Sequence, residues 1–158
     1  MNSLIFDDIT LEQDLRQSLE ALFKTESMLE IAENGIRLMP YDFNNTDPLP
    51  ETPAVSIEIV DPVVYEPASD NAEIQGYTDF SVEINIYTSG ENRKLNNNRI
   101  ANAIIALLQS HLYMSHYYSS GFQLESKDFV TALVDNTSRQ VIRMSALCDN
   151  EKLRIFNY

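Results

Sequence analysis

Residues 77–118 read YTDFSVEINIYTSGENRKLNNNRIANAIIALLQSHLYMSHYY, and this stretch decides the fold. Phe80, Val82, Ile84 and Ile86 fall on one face of an extended chain, while Ser81, Glu83, Asn85 and Tyr87 fall on the other. That period of two predicts a half-buried strand. Thr88, Ser89 and Gly90 end it. From about Asn92 the apolar spacing changes to Leu95, Ile100, Ile104, Leu107, Leu108 and Leu112, a helical repeat whose stripe is broad enough to cover a sheet face. A strand followed by a helix laid across its own sheet is the organising unit.

Working outward toward the N-terminus, Thr10-Leu11-Glu12-Gln13 has the form of a capping box. The helix it opens buries Leu11, Leu15, Leu19, Leu22 and Phe23. Glu33-Asn34-Gly35 reads as a turn into a short strand near Ile36 to Met39. Residues 40–53 carry Asp47-Pro48 and Leu49-Pro50, which predicts an extended surface connection. A strand then opens at Pro53-Ala54, with Val55, Ile57 and Ile59 alternating against Ser56, Glu58 and Val60. Residues 61–77 form a connection too long for a tight hairpin, and such loops are usually functional or disordered. Val63, Val64, Tyr65 and Ile74 give it apolar content without an obvious internal use, which makes it a candidate docking arm. Beyond the long helix, Gly121 restarts an extended chain, residues 135–138 turn it, and Arg139 to Cys148 alternate cleanly. The expectation is an α+β fold: one domain over residues 1–158, a largely antiparallel or mixed sheet, an N-terminal helix, and one long helix packed on one face.

A chain of 158 residues is long enough to bury roughly 70% of the surface its unfolded form exposes. The net charge of −13 is unevenly placed: residues 1–76 hold 16 acids and 3 bases, residues 77–158 hold 8 of each. Clamping a nucleic-acid backbone needs a clustered cationic surface, so direct DNA binding is not expected. The acidic half suits solubility, repulsion of DNA, or imitation of it. No basic leader and no run of about 18 to 20 apolar residues is present, which predicts neither secretion nor a membrane span and places assembly in a cytoplasm.

Catalytic chemistry has little to stand on. There is no glycine-rich phosphate loop, no nucleophile elbow and no Cys or His cluster, and four glycines allow few active-site turns. His111 and His116 are five apart and diverge on a helix, Asp7 and Asp8 point apart, and Cys148 shares an apolar face with Ile142, Met144 and Ala146. No enzyme activity, metal or cofactor is expected. Arg93, Lys94 and Arg99 are different. Cations at a helix start oppose its dipole at a few tenths of a kcal/mol each, by the usual range for exposed sites. They are candidates for a subunit interface, where the basic knot of one copy meets acids of the next.

The order of elements also resembles a known family. The strand from Phe80 to Thr88, the polar turn, the helix from Asn98 to Leu108 and the closing strand with Arg139-Gln140-Val141-Ile142-Arg143-Met144 are similar to those of the tail-terminator or tail-completion proteins of long-tailed bacteriophages. The resemblance begins near Thr10 and leaves out residues 40–53 and 61–77. It implies a structural virion protein that forms a homo-hexameric ring at the head-proximal end of the tail, capping the tail tube protein and joining it to the neck or connector. DNA would pass through such a ring without specific binding. The alternatives are a head-completion or neck protein of the same particle and, from another class, an acidic DNA mimic that inhibits a nucleic-acid enzyme.

Overall fold

A computed structural model of the chain describes residues 8–44, 51–65, 76–110, 120–130 and 136–149. Its elements in chain order are α1 (Asp8–Phe23), α2 (Glu26–Ile31), β1 (Arg37–Leu38), β2 (Ala54–Tyr65), β3 (Tyr77–Ser89), α3 (Arg93–Gln109), β4 (Gln123–Val130) and β5 (Thr137–Asp149). The five strands form one mixed sheet in the order β1-β2-β3-β5-β4, in which β1 runs parallel to β2 and every other pair is antiparallel. The helices α1 and α3 lie against it, α3 over β3 and β5, and α1 over β2 and beside α3. This is the α+β arrangement expected from the sequence.

The core sits between that helix layer and one face of the sheet. Phe80, Val82, Ile84 and Ile86 of β3 meet Ile142, Met144, Ala146 and Cys148 of β5, and all eight are buried. Leu11, Leu15, Leu19 and Phe23 close it from α1, and Ile100, Ile104 and Leu108 from α3. Each such side chain contributes roughly 1.5–3 kcal/mol by leaving water. The alternation of β5 holds without a break from Thr137 to Asp149. Phe122 packs edge-on against Phe80, with ring centroids 6.1 Å apart. Gly35 and Gly90 take positive φ at the turns that start β1 and end β3, where side chains are disfavoured.

Several expectations are corrected. Helical backbone is already present at Asp8, so Thr10 lies inside the first turn and not at an N-cap, which requires non-helical φ and ψ. The short helix α2, which buries Met28, stands where no separate element was expected. The start of the connection after β1 is not extended: Phe43 N–H donates to the Pro40 carbonyl, and the turn sets Phe43 edge-on to Tyr87, while residues 45–50 lie outside the described residues. Arg16, expected only as one of few cations, is buried, donates to the Met39 carbonyl and lies 4.1 Å from the Tyr41 ring centre. Leu95 is 53% exposed and leaves the helical stripe, and its place in the contact is taken by Asn97, which is fully buried.

Strand β3 is more than half-buried. It is the middle strand, so side chains from both flanks fold over its polar face and bury Ser81, Asn85 and Tyr87 as well. The largest correction concerns the start of that long connection, residues 61–65, since residues 66–75 lie outside the described residues. Val63, Val64 and Tyr65 are not in a loop: β2 continues through them and pairs Val63 with Asp79, Val64 with Thr78 and Tyr65 with Tyr77. The register shifts between Val60 and Val63, so Asp61, at φ 50°, and Pro62 are absorbed in a bulge. A bulge leaves its extra residue outside the ladder, which is one of the few places a strand tolerates proline.

Candidate assembly surfaces

Among the described residues no group of His, Cys, Asp and Glu is arranged to hold a metal ion, and no helix is long and apolar enough to cross a membrane. Burial and the neighbouring Asp149 push the Cys148 thiol up to about 12, so it is a protonated core side chain. His111, His116, Asp7 and Ile74 lie outside the described residues. The features that remain are surfaces.

The basic knot is where the sequence put it. Arg93 and Lys94 are the first two residues of α3, Arg99 lies in its second turn, and the first turn contains no acid. Asn92 provides no side-chain cap. Arg93 Nη1 instead donates to the Gly90 carbonyl at 3.1 Å, bending one cation back over the turn, while Lys94 and Arg99 stay exposed. The helix start is held from below by Asn97. Its Nδ2 group donates to the carbonyls of Ile86 at 2.9 Å and Ser138 at 3.3 Å and to Thr88 Oγ1 at 3.1 Å. Thr88 Oγ1 donates onward to the Arg93 carbonyl at 2.6 Å. One amide thus fixes α3 to the ends of β3 and β5, and with it the position of the knot.

The knot has neighbours that sequence reasoning missed. Lys127 of β4 donates to Asn102 Oδ1 at 2.9 Å, which ties the edge strand to the flank of α3. Leu124 and Phe129 of the same strand are each 42% exposed. Only the pairing shows that β4 is a sheet edge, so nothing local in the sequence marks these three as surface.

The second surface is the end of the β2–β3 hairpin. Val63, Val64, Tyr65 and Tyr77 are all 42–48% exposed, and the rings of Tyr65 and Tyr77 stack at 4.8 Å. These residues share one end of β3, and the knot shares the other. At the usual rise per strand residue, the two surfaces lie about 40 Å apart.

The third is the sheet face that carries none of the described helices. The register puts Glu58 opposite Glu83, and Glu83 opposite Arg143. Arg143 makes ion pairs with Glu125, at 3.2 Å, and with Asp61. Both carboxylates come from bulges, one in β2 and one at the register shift between Leu124 and Ser126 in β4. Glu125 also accepts from Ser81 Oγ at 3.1 Å, and Arg139 Nε donates to Asn85 Oδ1 at 2.8 Å. With Asp79 and Asp128 on the same side, acids outnumber the two arginines on this face.

No protein-family model matches the sequence, and no curated protein matches it. Solved structures do match the fold. A chain from the virion of a native gene transfer agent particle aligns with a TM-score of 0.55 at 10% identity, covering 85% of this chain and 91% of that one. The bacteriophage SPP1 gp17 protein aligns at 12% identity over 88% of each chain, with a TM-score of 0.43.

Proposed function

We propose that this chain is a structural virion protein, a tail terminator or completion protein that forms a hexameric ring, caps the tail tube and joins it to the neck. The observation that carries the reading is the shared fold with a chain of a virion particle over most of the length of both chains. The surfaces support it. A chain with two exposed contact regions at opposite ends of its central strand suits a protein that meets identical copies at one and a different partner at the other. In this reading Arg93, Lys94 and Arg99 belong to the subunit interface, and the hairpin end with Val63, Val64 and Tyr65, continuing toward Ile74, docks on tube or neck. The helix-free sheet face faces the lumen, where its acids repel passing DNA over a Debye length of about 10 Å at 0.1 M salt.

Electron microscopy of the purified protein, alone and mixed with tail tubes, tests this. Six-fold rings or density capping one tube end are expected. A protein that leaves tubes bare and binds filled heads is a neck protein instead. One that stays monomeric and competes with DNA for a nucleic-acid enzyme in a salt-sensitive way is a mimic. Replacing Arg93, Lys94 and Arg99 by glutamate is expected to abolish assembly, and unchanged rings would remove the knot from the interface.

A further inference from the structure

Both ends of the sheet are unfinished among the described residues. At one end β4 pairs only with β5, so the outer row of N–H and C=O groups along its eight residues has no strand partner. At the other end β1 covers β2 only at Ala54 and Val55, and the outer row of β2 from Ser56 onward has no strand beside it. An edge that is long and uncovered is a template for another strand.

The two edges differ in chemistry. On the helix side, β4 presents Leu124 and Phe129 with Lys127 between them, and Lys127 is tied to Asn102 of α3. Leu95 and Arg99 precede Asn102 by seven and three residues, so they share its flank of the helix. This edge is apolar and basic. Beside the open row of β2 lies a groove of about 460 Å³, bounded by the start of α1, the turn after β1 and residues 56–59 of β2. Glu12 of α1 and the exposed Asp42 line it. That edge is acidic and has room for a strand.

We infer that β4 of one copy adds to the open edge of β2 in a second copy, with Arg99 and Lys127 facing the acids of the groove, so that neighbouring sheets join into one. The inference rests on the ring reading and deepens it by naming the strands that meet. A second copy is the fitting occupant because both complementary edges belong to the same chain. Such a contact joins two different patches of identical subunits, the heterologous kind that closes into a ring when the rotation allows.

The test uses two full-length variants, Arg99→Glu with Lys127→Glu, and Glu12→Lys with Asp42→Lys. Alone, each sets like charges across the contact, and sedimentation velocity should show association weakened by about tenfold or more, since like-charge juxtaposition suppresses pairing. Mixed in equal amounts, the two are complementary at every contact and should assemble at close to wild-type concentrations. Simple damage to the fold would not be repaired by mixing. If a double variant fails to fold by circular dichroism, Arg99→Glu alone mixed with Asp42→Lys alone provides the same exchange. Variants that assemble like wild type would show that the edges are covered by another part of the chain or partner; that outcome, or folded variants that mixing does not restore, overturns the inference and leaves the ring reading standing. Wild-type protein that stays monomeric with and without tail tubes overturns both.

Discussion

At the scale of single residues, the side chain that most limits the molecule is Asn97, buried between helix and sheet and donating to three acceptors. Replacing it with alanine removes those bonds from a buried site and is expected to cost about 1–3 kcal/mol in urea unfolding, the usual range for leaving buried polar partners unsatisfied. Asn97→Asp should cost more, because it buries a charge where the amide donated. An alanine variant as stable as wild type would mean that α3 is held by its apolar stripe alone. Alkaline stability is also set by buried residues. Burial and Asp149 raise the Cys148 thiol from about 9 to about 12. Burial raises the Tyr87 phenol above its ordinary value, opposed by Arg139 and by a hydrogen bond with Ser56. In each case the folded state keeps a proton that the unfolded chain gives up, so the unfolded state binds fewer protons and stability falls with rising pH. Thermal unfolding should be insensitive to Cys148 ionisation below about pH 9 and should lose stability from there toward about pH 12. Cys148→Ala should flatten that fall, and an unchanged slope would assign it to Tyr87 and the rest of the chain.

At the scale of elements, the hairpin end offers the sharpest separation of folding from function. Val63, Tyr65 and Tyr77 contribute ladder pairs but are nearly half exposed. Threonine preserves β propensity at such positions. Replacing Val63, Tyr65 and Tyr77 together with threonine is therefore expected to shift the melting temperature by a few degrees at most while abolishing capping of tail tubes; normal capping would remove the hairpin end from the docking surface. The same element shows how much of the fold was legible. Strands β3 and β5 could be read because a buried sheet face imposes strict alternation, and α1 because Leu11, Leu15 and Leu19 recur every fourth residue. The hairpin end could not, because Asp61-Pro62 reads as a stop and only a bulge with a long-range partner lets a strand pass through it. Asn97 was hidden for a similar reason: in Asn96-Asn97-Asn98 one amide of three is buried, and its acceptors lie 9, 11 and 41 residues away in sequence. Of the site, the basic knot was legible because charge at a helix start is a local anomaly. Lys127, Leu124 and Phe129 were not, since being on an edge is a property of the sheet.

At the scale of the whole molecule, the helix-free face carries a cost that folding alone does not require. Glu58 and Glu83 stand directly opposite across β2 and β3, and like charges so placed destabilise an antiparallel pair. Arg143, on the other side of Glu83, offsets part of this but is also engaged by Asp61 and Glu125. The change Glu58→Gln keeps size and strand register while removing one charge. It should raise the melting temperature at low salt, with the gain shrinking as salt screens the wild-type repulsion. If the acids serve to repel DNA inside a ring, the stabilised protein should pay in function: rings of a variant with Glu58→Gln, Asp79→Asn and Glu83→Gln should form and cap tubes normally, yet particles built with them should release DNA more slowly. Glutamate at position 58 then trades stability for a smooth passage, as happens where function needs a locally unfavourable arrangement. Particles that eject at wild-type speed with the stabilised ring would show that the charge on this face has no part in DNA passage, and would turn attention to the acids of α1 and α2 on the other side of the sheet.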